Sequence, residues 1–97
     1  GPPDLIVEIV SDSSVIKDTR RLPAAYYTAG VGEFWLIDAR GESLFHKIHR
    51  PGAAGYEAVE PDAGGFQHSA VFDTRFQLTR HRNRSGRWVF DLHQKQG

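Results

Sequence analysis

The sequence predicts an α+β fold with an α/β-like core, a mixed sheet with a flanking helix, and three stretches carry that prediction. Leu5-Ile6-Val7-Glu8-Ile9-Val10 is a β-branched, almost wholly apolar run, the composition of a strand buried on both faces. Leu22, Ala25, Tyr26 and Ala29 recur at helical spacing ahead of Gly30, a helix with its stop signal. Glu33-Phe34-Trp35-Leu36-Ile37-Asp38 is a second apolar run. A helix between two such runs suits a right-handed crossover joining parallel strands.

In chain order, the first strand spans Asp4 to Val10 and ends in the Ser/Asp turn Ser11 to Ser14. The helix runs from Asp18 or Thr19 to Ala29. Pro23 removes an amide donor inside it, so the α-helix proper starts near Leu22 or bends there. Ala39-Arg40-Gly41 turns the second strand into a return strand, Glu42 to His49. Beyond the loop 51–55 come a short strand, Tyr56 to Glu60, and two short strand-like pieces, Gln67 to Phe72 and Phe76 to Thr79. A basic turn, Arg80 to Arg87, leads into a last strand, Trp88 to Leu92.

Ninety-seven residues fit a single domain, residues 1–97. The formal net charge of zero gives no overall reason to expect nucleic acid or membranes. The distribution says more: residues 1–62 hold six Lys/Arg against ten Asp/Glu, and residues 63–97 hold six against two. The lack of cysteine rules out disulfides and thiolate metal sites and suits a cytoplasmic protein. No apolar run approaches the ~18 residues that would mark a membrane span. The chain opens Gly-Pro-Pro-Asp, without Met, and reads as the C-terminal, N-terminally incomplete part of a longer protein.

Glu8 is the residue to explain. A carboxylate inside an aliphatic strand costs several kcal/mol unless it is paired, protonated or bound to a metal. At ~3.3 Å per strand residue, the Cα atoms of Asp4 and Glu8 stand ~13 Å apart. The two side chains therefore cannot share one magnesium ion, whose ligand oxygens lie at ~2.1 Å. The five histidines show no metal-ligand spacing; His46 and His49 face opposite ways on one strand. In the basic turn, arginines can follow a phosphate backbone while Trp88 stacks on a base.

Pro-Pro-Asp-Leu-Ile-Val-Glu-Ile-Val-Ser, the helix ending Tyr-Tyr-Thr-Ala-Gly-Val, and Glu-Phe-Trp-Leu-Ile-Asp together resemble the Uma family of restriction-endonuclease-like proteins, within the PD-(D/E)XK nuclease superfamily. The likeness covers residues 2 to about 45 and Gly55 to Glu57, and nothing past about residue 80 matches. The resemblance implies a restriction-endonuclease-like mixed sheet, a divalent metal, usually magnesium (Mg2+), and hydrolysis of DNA phosphodiesters. Glu8 matches the second metal-binding acid. The first lies on an upstream strand in that pattern, which leaves Asp4 at the strand mouth, capping a turn or holding a neighbouring base. Val10 stands where the motif lysine would be, and Leu22 where the family's helix lysine, four residues after Asp18, would be. Among Lys17, Arg20 and Arg21, Arg21 is the preferred stand-in, stabilising charge and not acting as a base. Tyr26 also fits the helix pattern, its ring for packing or its hydroxyl for the site.

The resulting expectation is a magnesium-dependent DNA endonuclease domain with Glu8 as metal ligand and Arg21 and Asp4 as further catalytic candidates. Lys17, Arg20, Arg82 and Arg84 are the candidate nucleic-acid contacts, and a homodimer is expected. The alternative is a catalytically degenerate nuclease-fold module for DNA binding or homodimerisation.

Overall fold

The computed structural model describes residues 1–12 and 21–96. Four strands, β1 (Leu5–Ile9), β2 (Glu33–Asp38), β3 (Phe45–Pro51) and β4 (Tyr56–Ala58), form one sheet in that order. Three more, β5 (Gln67–Ser69), β6 (Thr74–Arg82) and β7 (Trp88–Gln96), form a second, antiparallel sheet. A single described helix, α1 (Leu22–Ala29), lies between β1 and β2 in the chain. β1 and β2 are parallel, as the crossover reading requires, and β2–β3 and β3–β4 are antiparallel. The α+β fold with a mixed sheet is thus present.

The alternation of strand residues gives the first sheet two different faces. On one, Trp35 and Ile48 meet Phe76 of the second sheet, with Leu5 packed against them. The Trp35 and Phe76 rings lie 5.2 Å apart. On the other, Phe34 packs against Tyr26 of α1 and stacks on Tyr56, at 5.8 and 5.5 Å.

The β1 reading needs a correction. Its composition called for burial on both faces, yet it is the edge strand of its sheet among the described residues. Val7 and Ile9 are 44% and 66% exposed. The second sheet covers Leu5 and stops short of the two residues beyond it.

Helix α1 also departs from the expected face. Leu22, Pro23, Tyr26 and Tyr27 are half-buried, whereas Ala25 and Ala29 are exposed. Two aromatic rings reach the sheet where alanine methyls are too short. Pro23 sits in the first turn, where its missing N–H leaves no bond unmade. Gly30 takes the left-handed conformation, φ 87°, and the Gly30 and Val31 amides close the helix on the Tyr27 and Tyr26 carbonyls. The earlier helix start at Asp18 or Thr19 falls outside the described residues.

The sequence signal was weakest in the second sheet. The short piece Phe76 to Thr79 is the middle of nine-residue β6, which takes in Arg80 to Arg82 from the expected turn. β7 likewise continues to Gln96. Pairing from Thr74↔Gln96 to Arg82↔Trp88 makes one long hairpin. The return strand β3 starts at Phe45 and not at Glu42 because Arg80 takes the Ala39, Gly41 and Glu42 carbonyls, widening the turn.

Two polar groups, Glu33 and Gln67, fasten the two sheets, and a third, Asp62, ties the β4–β5 loop to the second sheet. Glu33 is 2% exposed and accepts hydrogen bonds from Trp35 Nε1 at 2.6 Å, Ser69 Oγ at 2.7 Å and the Val71 amide at 3.3 Å. The Gln67 amide accepts from the Ile48 N–H and donates to the His46 carbonyl, both at 2.8 Å, imitating a strand partner. Asp62 accepts from Lys95 at 2.8 Å, Arg75 at 3.0 Å and the Gly64 and Phe66 amides at 2.9 Å. The Lys95 and Phe66 bonds, foremost, hold its carboxyl well below the usual carboxylate range.

Candidate active site around Glu8

Glu8 lies next to last in β1, paired in register with Leu36. Its side chain is on the helix face, where the Tyr26 hydroxyl donates to Oε1. The crossover brings α1 back over the sheet, and the Tyr26 ring on Phe34 fixes where that hydroxyl points. Glu8 is half-buried, and Oε1 is its one oxygen with a partner among the described residues.

The other predicted site residues do not converge on it. Asp4 is exposed in the bend before β1, at the far end of the strand from Glu8. Arg21 is exposed at the α1 N-cap, and no hydrogen bond or ion pair joins it to Glu8. Lys17 and Arg20 lie outside the described residues. Arg82 and Arg84 are exposed at the β6–β7 tip. Asp38 shares the face of Glu8, but Arg40 binds it through Nη2 at 2.8 Å and Nε at 2.9 Å, and this drops its pKa to about 2. Arg40 also reaches Asp12 at 3.1 Å.

Register adds one cation that sequence reasoning missed. Leu36 pairs with Glu8 on one side and with Lys47 on the other, so Glu8, Leu36 and Lys47 form a row across the sheet. Strands stand ~4.8 Å apart, which puts the two outer Cα atoms ~10 Å from each other. Nothing in β3 alone signals this, because pairing sets the row.

Beside that row, a cleft of about 560 Å³ opens between α1 and the sheet, lined by Tyr27, Phe34, Leu36, His49 and Tyr56 among others. Its phenols are committed: Tyr27 donates to the Gly52 carbonyl at 2.6 Å and Tyr56 to that of Val31 at 2.8 Å. Burial pushes the His49 pKa down and the Tyr56 pKa up. Neutral at physiological pH, His49 adds no positive charge to the cleft.

Among the described residues, no three His, Cys, Asp or Glu side chains come together to hold a metal ion. Glu8 offers one carboxylate, already hydrogen-bonded, so the described residues do not fit a closed magnesium centre.

A family model described as putative restriction endonuclease matches residues 1–81. The chain belongs to this family, Uma2. No curated protein and no solved structure gives a significant match. At the level of the family, the function is nuclease-like, and divalent metals are general among such proteins. The Uma2 match ends at residue 81, inside β6, so Arg82, the hairpin tip and all of β7 lie beyond it. Glu8, Tyr26 and Glu33 all fall within it. No described helix is long and apolar enough to cross a membrane.

Proposed function

We propose that this Uma2 domain acts on DNA and that Glu8 is the acid it contributes to phosphodiester hydrolysis. The supporting observation is a half-buried carboxylate in an aliphatic strand, held by the Tyr26 hydroxyl and with its second oxygen unpartnered among the described residues. A buried structural acid has its acceptors filled; among the described residues this one does not. Hydrolysis needs an oriented water and groups that stabilise charge developing on the phosphate. Glu8 supplies the acid; positive charge from Arg21, which no described bond joins to Glu8, would reach the site through the bound phosphate, with no role as a base. Magnesium is the cation inferred from the family, with Glu8 as one ligand. Asp4 is assigned no ligand role, because it stands at the other end of β1.

A catalytically degenerate module is the second reading, favoured because no three His, Cys, Asp or Glu side chains among the described residues come together to hold a metal ion, and Asp38, on the face of Glu8, is tied to Arg40. A homodimer belongs to either reading: among the described residues β1 is a sheet edge, with Val7 and Ile9 exposed.

The test is plasmid nicking by the natural protein carrying this domain, with magnesium, as wild type and as Glu8→Gln. A loss of about 100-fold or more, with folding intact, supports hydrolysis through Glu8. Unchanged cleavage removes Glu8 from the mechanism. Duplex binding without cleavage in either protein supports the degenerate module.

A further inference from the structure

The β6–β7 hairpin ends in a basic tip beyond the family match. Arg82, Arg84 and Arg87 fall within six residues and are exposed, and no described carboxylate pairs with them. Three other cations are compensated: Arg40 pairs with Asp38 and Asp12, and Arg75 and Lys95 share Asp62. In a chain of zero net charge, this tip is a local concentration of unbalanced positive charge.

The tip is also built to hold its shape. Asn83 Oδ1 accepts from the Ser85 amide at 3.0 Å, the Ser85 hydroxyl at 2.9 Å and the Arg87 amide at 3.0 Å. Gly86 turns the chain at φ 81°, a conformation costly for other residues. Arg82 donates to the Gly86 carbonyl at 2.7 Å. The guanidinium carbons of Arg80 and Arg82 each lie 4.1 Å from the Trp88 ring centroid. The indole is thus engaged in ordering arginines, which argues against the base-stacking role its sequence position suggested. Through its three carbonyl bonds, Arg80 ties this assembly to the β2–β3 turn. That turn follows the C-terminal end of β2, and in the parallel pair this is also the Glu8 end of β1. A shallow groove between turn and tip is lined by Arg40, Arg82 and Trp88, with Glu42 its acidic member.

We infer that the β6–β7 tip is a docking element for the phosphate backbone of duplex DNA, separate from Glu8 and beyond the residues that the family model matches. The Arg82 guanidinium, already ordered by Gly86 and Trp88, loses little freedom on binding, and a tip that presents arginines reads charge and not base sequence. Trp88, 41% exposed, carries two guanidiniums over its ring, and an anionic membrane surface is the alternative that the test separates. The inference stands without the hydrolytic reading: such binding needs neither Glu8 nor a divalent cation.

The test is fluorescence anisotropy of the full chain on a short labelled duplex in EDTA across a salt series. Arg82→Ala, Arg84→Ala and Arg87→Ala combined should weaken binding at least about tenfold and reduce the salt slope by about 2 to 3, as loss of three phosphate contacts predicts. Lysines at the same positions should keep most of the slope. The inference is overturned if the triple alanine variant, with an unchanged circular dichroism spectrum, keeps wild-type affinity and slope. Wild type that ignores DNA at low salt, or binds only phosphatidylserine vesicles, overturns it equally.

Discussion

Glu8 and Glu33 stand on the two strands of the parallel pair but on opposite faces of the sheet. Glu33 faces the second sheet, sealed from water, with three donors on its carboxylate. Glu8 faces the helix, half-buried, with one phenol. The more deeply buried acid is the structural one. What separates them is saturation: Glu33 has donors on both oxygens and is sealed from water, whereas Glu8 has a partner on one oxygen among the described residues.

The sharpest way to break this contrast is Glu33→Leu. It strands the Trp35 indole N–H, the Ser69 hydroxyl and the Val71 amide, and should cost about 3–5 kcal/mol in chemical denaturation. A loss below about 1 kcal/mol would make Glu33 no more structural than Glu8. Glu8→Gln is the counterpart: a stability change within about 1 kcal/mol, because one exposed-side bond to Tyr26 can be remade by an amide. Its effect should appear in plasmid nicking instead.

His46 extends the comparison to a third group. It lies on the face of Glu33, its ring 5.0 Å from Trp35, yet both ring nitrogens are buried without a partner among the described residues. Burial, with His49 adding a smaller effect, lowers its pKa from 6.5 to about 4. The unfolded chain therefore takes up a proton that the folded one refuses. The stabilisation is complete above about pH 6.5 and is lost as pH falls towards 4, amounting to roughly 2 kcal/mol after allowance for partial exposure. His46→Phe should flatten urea-derived stability across that window. Asp62 and Asp38, held below their usual range, lose their contribution only at lower pH. The smallest stability effect is expected from Val7→Lys with Ile9→Lys, within about 0.5 kcal/mol. That pair should convert a dimer to monomer in sedimentation velocity, and an unchanged sedimentation coefficient would take β1 out of any interface.

The parts legible in the sequence were those fixed by local chemistry. Strand β2 matches its apolar run from Glu33 to Asp38, and Gly30 stops the helix as its position implied. Glu8 stood out because every neighbour was aliphatic. Glu33 did not, since it opens its strand and its partners Ser69 and Val71 are far along the chain. The second sheet was hidden for a related reason. In Thr-Arg-Phe-Gln-Leu-Thr-Arg-His-Arg the polar residues outnumber the apolar ones, and the strand exists because β7 pairs along its whole length. Register, which no single strand encodes, also decided that Lys47 shares a row with Glu8.

The Gln67 side chain gives the molecule a built-in reporter. Because its carboxamide oxygen holds the Ile48 amide proton while its nitrogen holds the neighbouring His46 carbonyl, that proton is shielded only while the two layers are seated together. Deuterium uptake at this one position would clock the parting of the layers, and rapid uptake in a Gln67→Ala protein would show how much of the seal a single carboxamide provides.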